Sequence, residues 1–156
     1  MDFLAALRCF YGEGDMESYL KIVTLLVIAL ICLSVCFDDI YHRTIKNSKV
    51  IVILSLALVY CAVNQSISLV PALISFIVGY ALFHLRVMGA GDVKLFCCLS
   101  LMIPANLFFS FLFMTTVFGV AIVFFGLIFY REKIKKFGVP YGVAISLSYF
   151  FHLILL

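Results

Sequence analysis

Asp38, Asp39 and Asp92 are the only acids between Glu17 and Glu132, and they interrupt long runs of hydrocarbon side chains. A carboxylate at membrane depth is costly to desolvate, so finding one there points to a task rather than to decoration. Two carboxylates brought together in a poorly solvated place cannot both ionise, and they share one proton. Such a dyad can take a proton from water with one member and polarise a carbonyl with the other. That is the chemistry of aspartic peptide hydrolysis. Solvated loop acids balanced by Arg43 and Lys94 would leave the same residues in the sequence. The elements that carry them must decide between the two.

Those elements are membrane helices. The chain has 156 residues, 66% of them hydrophobic and 12% charged, with mean hydropathy +1.25. An ordinary soluble domain carries about 25% charge, so the composition excludes that class. Four apolar runs stand out: Tyr19–Phe37, Val50–Val63, Ile67–Leu85 and Pro140–Leu156. A fifth, Val93–Tyr130, is 38 residues long, too long for one span, and Pro104-Ala105-Asn106 breaks it as a turn. The expected fold is therefore all-α, a polytopic membrane protein with six transmembrane helices in a single domain over residues 1–156. Residues 1–18 form its extracytoplasmic tail. Within that tail Phe3, Leu4, Leu7 and Tyr11 have the spacing of an interfacial helix, and a frayed tail fits as well.

Charge sorts the connections. Nine of the eleven basic residues fall in every second break: Arg43, Lys46 and Lys49; Arg86 and Lys94; Arg131, Lys133, Lys135 and Lys136. The positive-inside rule places those three breaks in the cytoplasm and both termini outside. Both acidic sites then lie at cytoplasmic ends of spans, and the hairpin of spans two and three returns the chain to the same face. The fourth span, Val93–Ile103, has only 11 residues, about 16 Å of helix against a hydrocarbon core of about 30 Å. Its shortness draws Asp92 below the surface. Gly89 and Gly91 are expected to let backbone approach closely and to adopt positive φ. Asp92 stands near a helix N-terminus, which favours a carboxylate.

Other side chains have plainer readings. The six cysteines, Cys9, Cys32, Cys36, Cys61, Cys97 and Cys98, form no metal-ligand spacing and read as small packing residues. No metal or other cofactor is expected, and nothing points to nucleic acid. His42 and His84 tune the dyad or anchor the interface, and His152 reads as a packing or outer-interface residue. Lys94 either pairs with Asp92 or snorkels.

Three motifs carry a resemblance. "GAGDVK", Gly89–Lys94, resembles the GxGD motif of intramembrane aspartic proteases. "DIYHRTIKN", Asp39–Asn47, resembles the first aspartate segment of type IV prepilin peptidases, in which basic residues and an Ile-Pro-Asn follow the aspartate. Aligning on Ile45 and Asn47 selects Asp39 over Asp38. "VPYGVAI", Val139–Ile145, is similar to the Pro-aromatic-Gly that opens that family's last span. The chain departs from the pattern at Lys46, where proline is usual, and at Val143, where a second proline often stands.

The resemblance implies an aspartic endopeptidase of the bacterial inner membrane that removes the basic leader of a prepilin on the cytoplasmic side. Asp39 and Asp92 are its implied catalytic pair. Asp38, Arg43, Asn47, Gly89, Gly91, Lys94, Pro140, Tyr141 and Gly142 are the implied substrate-binding or supporting residues. The short form, with no cytoplasmic cysteine-rich domain, looks like the peptidase-only enzymes of Flp/Tad pilus systems, so methylation of the mature pilin is not expected. Implied partners are the prepilin, membrane lipid, and pilus or secretion assembly components. The basic loops would repel a basic leader unless an acid receives it, and Asp38 is the spare acid nearby. Competing readings are a small proton- or cation-coupled transporter built on the same acids, or an inactive homologue acting in assembly. No internal repeat of the transporter kind is present.

Overall fold

In the computed structural model the described residues are 13–129 and 139–153, and they form six helices. In chain order these are α1 (Glu13–His42), α2 (Asn47–Val63), α3 (Leu69–His84), α4 (Ala90–Ser100), α5 (Ala105–Phe129) and α6 (Tyr141–Leu153). No strand occurs among the described residues. Met16–His42 and Ala105–Gly126 are long and apolar enough to cross a membrane, while α2, α3 and α6 are shorter apolar helices. The tail helix expected over Met1–Tyr11, most of the basic break after Tyr130 and residues 154–156 lie outside the described residues.

Three boundaries differ from expectation, each for a local reason. The first helix runs past Phe37 to His42, so Asp38 and Asp39 stand in a helical turn rather than a loop. Lys49 favours that turn: its ammonium lies 2.9 Å from Asp38 Oδ2 and donates to the Ser34 carbonyl at 3.0 Å. The fourth helix starts three residues before Val93, because the Asp92 carboxylate accepts a hydrogen bond from the Gly89 N–H at 3.1 Å and satisfies an amide that the helix start leaves open. Of Pro104-Ala105-Asn106, only Pro104 stays outside α5; proline just ahead of a helix removes no intrahelical bond.

The short α4 is the centre of the bundle. It packs on α2, α3 and α6, while α6 also packs on α1 and α5, and α1 on α2. Its Val93, Leu95, Phe96, Cys98, Leu99 and Ser100 are buried. Gly79 makes room for it: a Cβ there would lie 2.7 Å from a Val93 methyl. Val93 is thus level with a residue more than one turn before the end of α3. At 1.5 Å per residue, Asp92 sits about 6 Å below that end.

Buried polar groups deep in the bundle are mostly paired, as a water-poor interior requires. Ser75 and Ser100 share a hydrogen bond of 2.7 Å, and Ser148 donates to the Phe111 carbonyl at 3.0 Å. His152 is fully buried, 2.9 Å from the Ser148 carbonyl and 3.2 Å from Ser110 Oγ, with its ring edge-on to Phe111. It is a packing residue. Cys32, Cys61 and Cys98 are buried free thiols, and Cys36 and Cys97 are partly buried.

Candidate active site

Asp39, near the end of α1, and Asp92, in the first turn of α4, line one cavity of about 620 Å³. Arg43, Phe83, His84, Arg86 and Tyr141 are among its other walls. Asp39 is only 5% exposed. Asp92 is half-buried, and its Oδ1 is shielded from solvent. Asp39 Oδ2 and Asp92 Oδ1 are each buried without a hydrogen-bond partner. The two carboxylates are near enough to repel one another. A pair in this setting holds one proton between its members.

The start of α6 closes over the pair. The backbone amides of Gly142 and Val143 face the Asp39 carboxylate, and that of Gly142 also faces Asp92. These amides belong to the first turn of a helix, where unpaired N–H groups and the helix dipole favour negative charge. The glycine is required by proximity: a Cβ at position 142 would lie 2.8 Å from Asp39 Oδ2 and 2.9 Å from Ile45 Cδ1. Pro140, buried, precedes this turn, and Tyr141 lines the cavity beside it.

Ile45 ties the three motifs together. Its side chain stands against Gly142, and a Cβ at Gly91 would lie 3.0 Å from Ile45 Cβ and 3.5 Å from its carbonyl. One isoleucine in the extended connection after α1 therefore wedges between the first turns of α4 and α6. It served above only to set the register to Asp39, and its place between the glycines was not foreseen.

The glycines act by contact and not by unusual backbone. Gly89 has φ −76 and ψ 152, an extended conformation open to any residue, and Gly91 lies within α4. The expectation of positive φ at Gly89 and Gly91 is corrected. A Cβ at Gly89 would lie 2.9 Å from Asp92 Oδ2, so a larger residue would displace the carboxylate. The left-handed positions are Arg43 with φ 54, Gln65 with φ 50 and Arg86 with φ 57, and the two near the site are arginines. Such backbone costs about 1–2 kcal/mol in a residue with a Cβ. At Arg86 it closes the end of α3, with the Arg86 and Val87 amides donating to the Phe83 and Leu82 carbonyls at 3.0 Å each. Both arginines line the cavity, and His84 stands with them, its ring edge-on to Tyr80 at 4.6 Å between centroids. The sequence offered one signal for Arg86 and His84, their place in the break ahead of "GAGD".

Two further expectations change. Asp38 is not a spare acid: Lys49 lies 2.9 Å and Lys46 3.9 Å from its Oδ2, on the side of α1 that faces α2. Lys94 does not turn to Asp92; it donates to Asn47 Oδ1 at 3.2 Å and links the start of α2 to α4. Asn47 and Lys94 support the site from its flank and do not line its cavity.

Comparison with known families finds that residues 26–129 match the model described as the type IV leader peptidase family. No curated protein and no solved structure matches the chain.

Proposed function

Because the chain belongs to the type IV leader peptidase family, we propose that it is a membrane-embedded aspartic endopeptidase that removes the basic leader of Flp/Tad-like type IV prepilins at the cytoplasmic face of the bacterial inner membrane. One observation supports this most: the two acids selected by the motifs line one cavity, each with a buried, unpartnered oxygen. In the proposed reaction the ionised member of the dyad takes a proton from a water molecule as that water attacks the scissile carbonyl. The protonated member donates a hydrogen bond to the carbonyl oxygen, on which negative charge develops. The Gly142 and Val143 amides favour the ionised form of Asp39, the side of the pair they face. Collapse of the tetrahedral species breaks the C–N bond, and the proton taken from water passes to the leaving amine. Both macroscopic titration steps belong to the pair rather than to either acid.

Asp38, held by Lys49 and Lys46, is a poor receiver for the basic leader. The arginines at the cavity rim set the dyad's surroundings instead. Six membrane spans with both termini outside remain the reading that the basic residues favour. Reporter fusions should place Leu156 outside and Lys135 inside. A cytoplasmic signal at Leu156 would separate the topology from the shared face that the dyad needs.

The direct experiment is cleavage of a panel of co-purified prepilins by the protein in detergent or liposomes. Cutting at a single bond ahead of the hydrophobic helix is expected, with the rate unchanged by a chelator, since the dyad activates water without a metal. Loss of activity with EDTA and recovery with zinc would replace this mechanism with another.

A further inference from the structure

The cavity around the acids continues into a second, apolar groove of about 390 Å³ between α3 and α5, and the two share Val87, Met88 and Tyr141. The groove lies where α3 and α5 pack only lightly on one another. Its α5 wall carries Thr115, Thr116, Gly119 and Val120. The two threonine hydroxyls are already used, donating to the Phe111 and Leu112 carbonyls at 2.8 and 2.9 Å. What this wall presents is therefore methyl groups and a glycine, a small apolar surface of the kind that lets another helix backbone come close. From Thr116 to Val123 it follows α5 for about 10 Å, two turns of a helix.

We propose that this groove seats the apolar helix of the substrate, entering from the bilayer between α3 and α5 with its first turn at the acids. The proposal rests on the peptidase reading above. It commits to that occupant because of continuity: a polar chamber that holds the acids passes, across three shared residues, into an apolar channel of helix-like character. A polypeptide whose bond to be cut directly precedes a hydrophobic helix has the same order of polar and apolar parts. A lipid acyl chain would match the channel alone.

Thr116 and Val120 are exposed, one turn apart, and neither touches the acids. Thr116→Trp fills the channel, and Val117→Trp, one residue on, exposed and outside both cavities, serves as the control of equal bulk. Each is assayed on a full prepilin and on a short soluble peptide that spans the cleavage site but stops before the helix. Thr116→Trp should raise KM for the full prepilin about tenfold or more while leaving cleavage of the short peptide unchanged, and Val117→Trp should match the parent on both. Equal loss on both substrates, or no loss on either, overturns the proposal. A second measurement does not depend on turnover. A photo-reactive amino acid at position 120 of the Asp39→Asn protein should cross-link to the prepilin's helix, and cross-linking to lipid with none to prepilin also overturns it. If the unmodified protein cuts no prepilin in the panel yet the helix is captured at position 120, the peptidase reading fails while the groove assignment stands.

Discussion

Asp39→Asn and Asp92→Asn are each expected to lower prepilin cleavage by roughly 10³-fold or more, and the double variant to add almost nothing. Asparagine keeps the size of the side chain and its hydrogen-bonding capacity but cannot exchange a proton with water. Since the pair works as one unit, losing either member removes the reaction. Folding should survive, because replacing a buried acid with a neutral amide lowers its desolvation cost. Asp38→Asn is the internal control. Its carboxylate is engaged by Lys49 at 2.9 Å on another side of α1, so the variant should keep most of its activity. Gel-shift assays at matched protein levels read all four variants. A dead Asp38→Asn beside an active Asp39→Asn would move the catalytic role by one residue, and an active Asp92→Asn would end the protease reading.

Gly142→Ala is the second change expected to have a large effect, although it adds one methyl group. The new Cβ would lie 2.8 Å from Asp39 Oδ2 and 2.9 Å from Ile45 Cδ1, closer than nonbonded atoms settle. Either the carboxylate or the start of α6 must move by several tenths of an ångström. Misplacing a reacting group by about 1 Å costs on the order of 10²-fold in rate, so a shift of several tenths of an ångström should lower kcat by roughly tenfold. Overpacking adds roughly 1–3 kcal/mol of destabilisation. The two contacts can be separated. Ile45→Val removes Cδ1 and should restore part of the lost thermal stability of Gly142→Ala, but not its kcat, since the contact with Asp39 remains. Recovery of both would mean that Gly142 matters only for packing.

Much of this site could be read from the order of residue types. The isolated acids, the basic breaks and the short run after "GAGD" led to helices that end at one face and to a recessed Asp92. What could not be read depends on contacts between distant segments. Two glycines beside an aspartate suggested unusual backbone, yet both are needed for the space that Asp92 and Ile45 occupy. Asp38 looked spare because Lys49, eleven positions on, returns to it only once α2 has folded against α1. The left-handed residues beside the site were hidden because they are arginines, Arg43 and Arg86, which no rule of composition would choose for that role.

The unequal helix lengths have a consequence for the bilayer itself. With 30 and 25 residues, α1 and α5 are about 45 and 37 Å long, whereas α2 and α3, with 17 and 16, reach only about 25 Å. On the six-span reading the long helices tilt to fit a hydrocarbon layer about 30 Å thick, and the short ones cannot reach across it. Lipids beside α2 and α3 must therefore shorten their span by several ångströms, at a cost of fractions of a kcal/mol per ångström. On that reading the molecule would carry a thinned patch of membrane along one flank, bounded on one side by α3, and there a peptide bond at the surface would have less hydrocarbon to cross before it meets water.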